Sequence, residues 1–164
     1  ISLEDAIAGA TRRIQFSDGR TLDVTIPKGA SEGQTIRLRG QGSPGRGAEN
    51  GDALIELRIE PHPIYKRDGA DLTMDLPVSV PDAVLGGKVR VPTLDGAVEL
   101  AIPPNTNSGR TMRVKGKGLP GKDGPGDLYA SVRIVLPDQP DPELEALMKK
   151  WRDDKPYDPR RDRS

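Results

Sequence analysis

The sequence predicts a mainly β protein: two tandem β domains of similar topology, each with a short helix, followed by a C-terminal helix. Three observations lead there. The chain repeats itself, with Ile26, Pro27, Gly33, Gly40, Gly42, Pro44 and Gly45 answered by Ile102, Pro103, Gly109, Gly116, Gly118, Pro120 and Gly121 at a constant offset of 76 residues. Within both copies apolar residues alternate with polar ones, the period of a half-buried strand. Near the end the period changes, and Leu144, Leu147, Met148 and Trp151 form a single helical stripe. Solenoid units run about 20 to 50 residues, so a repeat this long marks two copies of a small domain. The expected boundaries are 1–65 and 66–140, with a separate helix and flexible tail over 141–164.

The elements follow in order. Ser2 is an N-cap with Asp5 three residues on, and Gly9 closes a short helix. Ser79, Asp82 and Gly86 repeat this pattern at an offset of 77, with Pro81 in the first turn. After the first helix, Ile14 with Phe16, then Leu22, Val24 and Ile26, then Ile36 and Leu38, share faces of successive strands. Ala53, Ile55, Leu57 and Ile59 alternate, as do Leu128, Ala130, Val132 and Ile134 in the second copy. Leu72, Met74, Leu76, Val78 and Val80 form one more alternating strand, whose first-copy counterpart falls before Ile1. Ile1 is an unusual start, so the chain is read as a piece of a longer protein. The Gly/Pro stretches 40–51 and 116–126 are loops by turn chemistry. Gly51-Asp52 and Gly126-Asp127 recur at their ends, which favours a turn-capping aspartate.

Composition excludes several function classes. The absence of cysteine removes disulfides, thiol catalysis and thiolate metal sites, and fits a reducing, cytoplasmic setting. No run of residues reads as a membrane span. With 25 basic and 25 acidic residues the net charge is zero, so bulk attraction to nucleic acid is not expected. His62 is the only histidine, between Pro61 and Pro63, where a linker or packing role outweighs catalysis. No carboxylate pair or metal-ligand spacing stands out, and no cofactor is expected. The Gly-x-Gly pairs open no helix and make no phosphate cradle. The chain therefore reads as a binding module and not as an enzyme.

Two surfaces are candidates. Ile14 and Phe16 lie on one face of a strand that follows Arg12-Arg13, and the second copy has the smaller Val91 and Thr93 there. Phe16 either fills its own core or lines a groove that takes an extended apolar peptide by strand addition. Tyr65 would then form one wall, and Arg12 and Arg13 would suit an acidic peptide end. The stripe of Leu144, Leu147, Met148 and Trp151 docks either on its own second domain or on a second subunit, because so short a helix is marginal alone. A rival reading is a DNA-binding architectural protein using Lys88, Arg90, Arg110, Arg113, Lys115 and Lys117, set against a solvated charged face.

Longer motifs carry a family resemblance. The junction His62-Pro63-Ile64-Tyr65-Lys66-Arg67-Asp68-Gly69-Ala70-Asp71-Leu72 resembles that between the two C-terminal domains of DnaJ-family co-chaperones. Val91-Pro92-Thr93-Leu94-Asp95-Gly96, Lys115-Gly116-Lys117-Gly118-Leu119-Pro120 and Gly126-Asp127-Leu128 resemble that family's second domain, and Ser2-Leu3-Glu4-Asp5-Ala6 the first helix. The resemblance implies two tandem β-sandwich-like domains that hold unfolded polypeptide clients, and a C-terminal helix that makes a homodimer. It places the client groove at Ile14, Phe16 and Tyr65. It places reception of the acidic tail of a DnaK-type ATPase chaperone at Arg12, with Arg13 beside it. The chain holds neither a J domain nor the cysteine-rich zinc module, which places it with the zinc-free type. Tyr157-Asp158-Pro159-Arg160 resembles the end of the curved-DNA-binding members, which keeps weak DNA binding open.

Overall fold

A computed structural model describes residues 1–42, 51–121 and 123–161. It is mainly β, with short helices and one longer C-terminal helix, and both short helices start and stop where the sequence places them. In α1 (Leu3–Ala8) the Ser2 hydroxyl accepts the Asp5 N–H at 3.1 Å, and Gly9 closes the helix at φ +80°. In α2 (Val80–Leu85) Ser79 accepts from Asp82, Gly86 takes φ +76°, and Val80 belongs to the helix and not to the strand before it. Glycine is needed at Gly86 for a second reason: a Cβ there would lie 2.8 Å from the Ile102 carbonyl oxygen.

The first half continues with an antiparallel hairpin of β1 (Ala10–Gln15) and β2 (Thr21–Ile26), then a second of β3 (Thr35–Leu38) and β4 (Ala53–Glu56). The second half opens with β5 (Lys66–Asp68) and β6 (Asp71–Ser79), which bracket a tight turn at Gly69. After α2 come the hairpin β7 (Gly87–Thr93) and β8 (Gly96–Ile102), then β9 (Thr111–Val114) and β10 (Leu128–Val135). A four-stranded sheet results, in the order β5-β6-β10-β9, in which β6 and β10 are parallel. The 13-residue α3 (Pro142–Asp154) ends the regular structure, capped by the Asp141 carboxylate on the Glu143 and Leu144 N–H groups.

From the short helices onward the halves correspond, down to hydrogen bonds. Ile1 donates to the Arg58 carbonyl and accepts from the Glu60 N–H, both at 2.8 Å, which is the two-bond pattern of a parallel pairing with Ile59. At the equivalent place in the second half, Val78 of β6 pairs with Ile134 of β10. Asp52 and Asp127 also do the same work, as their recurrence implies. Asp52 accepts the Gly40 N–H at 2.9 Å and pairs with Arg37; Asp127 accepts the Gly116 N–H at 2.8 Å and pairs with Arg113 at 2.7 Å. Each pins the neck of a Gly/Pro loop; residues 43–50 of the first loop and 122 of the second lie outside the described residues.

Burial is unequal between the halves. β6 and β10 supply Leu72, Met74, Leu76, Val78, Leu128, Ala130 and Val132 to one core cluster. Leu3 of α1 and Tyr65 belong to the same cluster, and Ile7 and Ile59 pack against it, so apolar side chains of both halves meet in one core. In the first half Ala53 and Ile55 are only half-buried, while their counterparts Leu128 and Ala130 are fully buried.

The segment joining the halves is held at several points. His62 Nδ1 accepts the Ile64 and Tyr65 N–H groups, so Nε2 carries the proton and donates to Glu4 at 2.7 Å. The Tyr65 hydroxyl donates to the Pro92 carbonyl at 2.7 Å, and Arg67 reaches Glu32 at 3.5 Å. The packing role expected for His62 is the one it has.

Candidate functional site

Ile14 and Phe16 stand on one face at the end of the first hairpin, and both are half-buried. The hairpin tip explains their setting. Phe16 N–H donates to the Arg20 carbonyl at 2.8 Å, and Gly19 at φ +89° lets the chain turn back within five residues. That turn brings the Arg20 guanidinium over the Phe16 ring, 5.1 Å from its centroid. Arg20 is fixed there by Asp18 at 2.8 Å and by the side chain and carbonyl of Gln41, each at 3.1 Å. The Arg20 backbone N–H, and then its guanidinium, hold the Asp18 carboxyl below the usual aspartate range. Sequence reasoning missed Arg20; the signal was the Asp18-Gly19 turn immediately before it. The counterpart of Ile14 in the second half, Val91, is completely buried. An apolar side chain is therefore left partly open at this position in one copy only.

Arg12 and Arg13 are exposed on β1, and each already has a carboxylate. Arg12 pairs with Asp5 of α1, which lowers the Asp5 pKa, and Arg13 pairs with Asp23 of β2 at 3.1 Å. An incoming acidic group would exchange with these partners. Tyr65 belongs to the core cluster, which does not include Ile14 or Phe16. It is 5 % exposed, its ring lies 4.9 Å from His62, and its hydroxyl is bonded to Pro92. Burial, and then the nearby Glu4 charge, push its phenol pKa up.

The helical stripe is largely uncovered by the described residues. Leu144 is half-buried, while Leu147, Met148 and Trp151 are 58, 40 and 46 % exposed, and no residue of α3 is buried. The chain beyond the helix returns so that the Tyr157 ring lies 5.9 Å from that of Trp151. Of the residues suggested for DNA, Arg113 and Lys117 are engaged by Asp127 and Asp95. Among the described residues, Lys88, Arg110 and Lys115 form no ion pair. No group of three or more metal-ligating side chains is found among the described residues, and no helix there is long and apolar enough to cross a membrane. A cleft of about 530 Å³ lies between the halves, lined in part by Leu3, Ile7, Ile59 and Leu119 and crossed by the Arg67–Glu32 pair.

Comparison with known proteins agrees with this architecture. The family described as the DnaJ C terminal domain matches residues 1–137. The chain is 49 % identical over 150 residues to "Chaperone protein DnaJ 2" of Thermus thermophilus, covering 92 % of this chain and 52 % of that protein. It is 48 % identical over 164 residues to "Curved DNA-binding protein" of Escherichia coli O9:H4, covering 99 % and 54 % respectively. To the Coxiella burnetii (strain Dugway 5J108-111) protein of the same name it is 39 % identical over 176 residues, covering 99 % and 56 %. The chain thus spans about half the length of the curated relatives it matches. With the family matched over most of its residues, and relatives this similar along nearly all of it, the chain belongs to the DnaJ C-terminal domain family.

Proposed function

We propose that this chain is the client-binding and dimerising part of a co-chaperone, without enzyme activity of its own. Its two halves, 1–65 and 66–140, act as β-sandwich-like units, and the first holds exposed apolar segments of unfolded polypeptides. The observation that carries this reading is the half-open apolar face of Ile14 and Phe16, where the second half seals the equivalent Val91. Ile14 and Phe16 contact the client. Tyr65 acts from beneath by fixing the junction on which the first half rests. Arg12 and Arg13 receive an acidic tail of the DnaK-type ATPase to which clients pass, exchanging Asp5 and Asp23 for it. The exposed stripe of Leu144, Leu147, Met148 and Trp151 pairs two copies.

The test is the double substitution Ile14→Ser with Phe16→Ser, assayed by suppression of citrate synthase aggregation. Loss of suppression with an unchanged circular dichroism spectrum is the expected result. Full suppression by the folded double variant would place the client elsewhere. A second reading, weak DNA binding, is favoured by Lys88 and Arg110, which form no ion pair among the described residues, and by the name that several relatives carry. It requires DNA affinity that falls steeply with salt.

A further inference from the structure

Phe16 is the only phenylalanine in the chain, and it stands across the first hairpin from Arg20. The Arg20 guanidinium lies 5.1 Å from the ring centroid. Its Nε donates to Asp18 at 2.8 Å, and its two terminal nitrogens donate to the side chain and the carbonyl oxygen of Gln41, each at 3.1 Å. Gln41 in turn sits in a fixed stretch of backbone. The Gly40 N–H donates to Asp52 at 2.9 Å, and the Gly42 N–H to the Gly51 carbonyl at 2.7 Å. A chain of contacts thus runs from the neck of the first Gly/Pro loop, through an arginine, to one aromatic ring.

The second half replaces every station of that chain. The repeat puts Thr93 where Phe16 stands, the hairpin register puts Gly96 where Arg20 stands, and the offset of 76 puts Lys117 in place of Gln41. There the Thr93 hydroxyl donates to Asp95 at 2.9 Å, and Lys117 pairs with the same carboxylate at 3.3 Å. The neck is kept, with the Gly116 N–H on Asp127 at 2.8 Å and the Gly118 N–H on the Gly126 carbonyl at 2.9 Å. Ring, arginine and amide occur together in one copy and are missing together from the other, on a scaffold that both share. Building the hairpin and the neck therefore does not require them.

We propose that Arg20 is a positioning residue for the client-binding face, acting through Phe16 and itself held by Gln41 and Asp18. The proposal rests on the reading of Ile14 and Phe16 as the client contact. A half-buried ring at a hairpin tip has several rotamers open to it. A guanidinium fixed against it selects one of them and leaves the rest of the ring to the client. Arginine suits this role better than lysine, because its plane stacks on a ring while its fork takes two acceptors at once. A site whose competent form is only partly populated loses apparent affinity by that fraction, and Arg20 keeps the competent form populated.

The experiment labels the whole 164-residue chain with para-fluorophenylalanine, which reports on Phe16 alone. Client affinity is read by fluorescence anisotropy of labelled, reduced and carboxymethylated α-lactalbumin, a permanently unfolded chain. Arg20→Gln should lower that affinity about two- to fivefold, the equivalent of one exposed cation–π contact, and should shift the fluorine resonance. Gln41→Ala, which removes one hold on Arg20, should move both readouts the same way by less. Arg20→Lys keeps the charge without the fork and should recover part of the loss. Ile14→Ser with Phe16→Ser tests the underlying reading separately: binding that survives it removes that reading and this proposal together. With binding lost in that variant, unchanged affinity in the folded Arg20→Gln protein overturns the proposal alone. Should Arg20→Gln disturb the hairpin itself, a folded Gln41→Ala protein with wild-type affinity overturns it instead.

Discussion

At the scale of single residues, the fold rests on positions that the repeat duplicates. Gly86 illustrates the constraint. Alanine there would hold a backbone conformation costing about 1–3 kcal/mol, and its Cβ would also meet the rigid Ile102 carbonyl. Gly86→Ala should therefore lower the thermal midpoint more than Gly19→Ala, where φ is +89° but nothing lies within 4 Å. Asp52 and Asp127 make a second prediction. Backbone N–H groups of Gly40 and Gly116, followed by Arg37 and Arg113, lower both carboxyl pKa values. A lowered folded-state pKa contributes stability that is present above the unfolded value of about 3.9 and is lost as the pH falls through the folded one. Urea midpoints should thus decline in acid below about pH 4, and Asp52→Asn with Asp127→Asn should flatten that decline. The caps and the two aspartates were legible, because each depends on neighbours close in sequence; whether Phe16 filled its own core or lay half-open was not. The burial of Tyr65 was not, since the carbonyl that satisfies its hydroxyl belongs to Pro92, 27 residues away.

At the scale of elements, alternation announced β2, β6 and β10 because one face of each is buried and the other is wet. β5 gave no such signal. Lys66, Arg67 and Asp68 are all exposed, and only the turn at Gly69 makes them a strand. The parallel pairing of β6 with β10 was also hidden, because a long-range partner leaves no mark on local periodicity. That pairing concentrates stability. Leu72→Ala, at a fully buried β6 position, should cost about 2–5 kcal/mol in urea unfolding. Leu54→Ala, on a side chain 68 % exposed, should stay within about 0.5 kcal/mol. The helix α3 shows the opposite balance: its periodicity was plain, and the described residues fully bury none of its side chains. Trp151→Ala with Leu147→Ala should halve the mass seen by light scattering. A monomeric wild-type protein at high concentration would count against the pairing of copies through α3.

At the scale of the whole molecule, two copies of one plan have diverged in how completely they close. The second half keeps a sealed core; the first leaves Ile14, Phe16, Ala53 and Ile55 half-buried. Hydrogen exchange should resolve the difference, because opening free energies vary across a fold with its local burial. Amides of β6 and β10 should exchange only through global unfolding. Those of β1 to β4 should exchange through a smaller opening; equal protection in both halves would show that they open as one.

Tyr65 belongs to the core that Leu3 shares with β6 and β10, and its hydroxyl is bonded to Pro92, so the junction is held to the second half. Under the proposed function, a client seated on the first half is thereby kept at a constant distance from the second, and loosening the junction by Tyr65→Phe should shorten client retention.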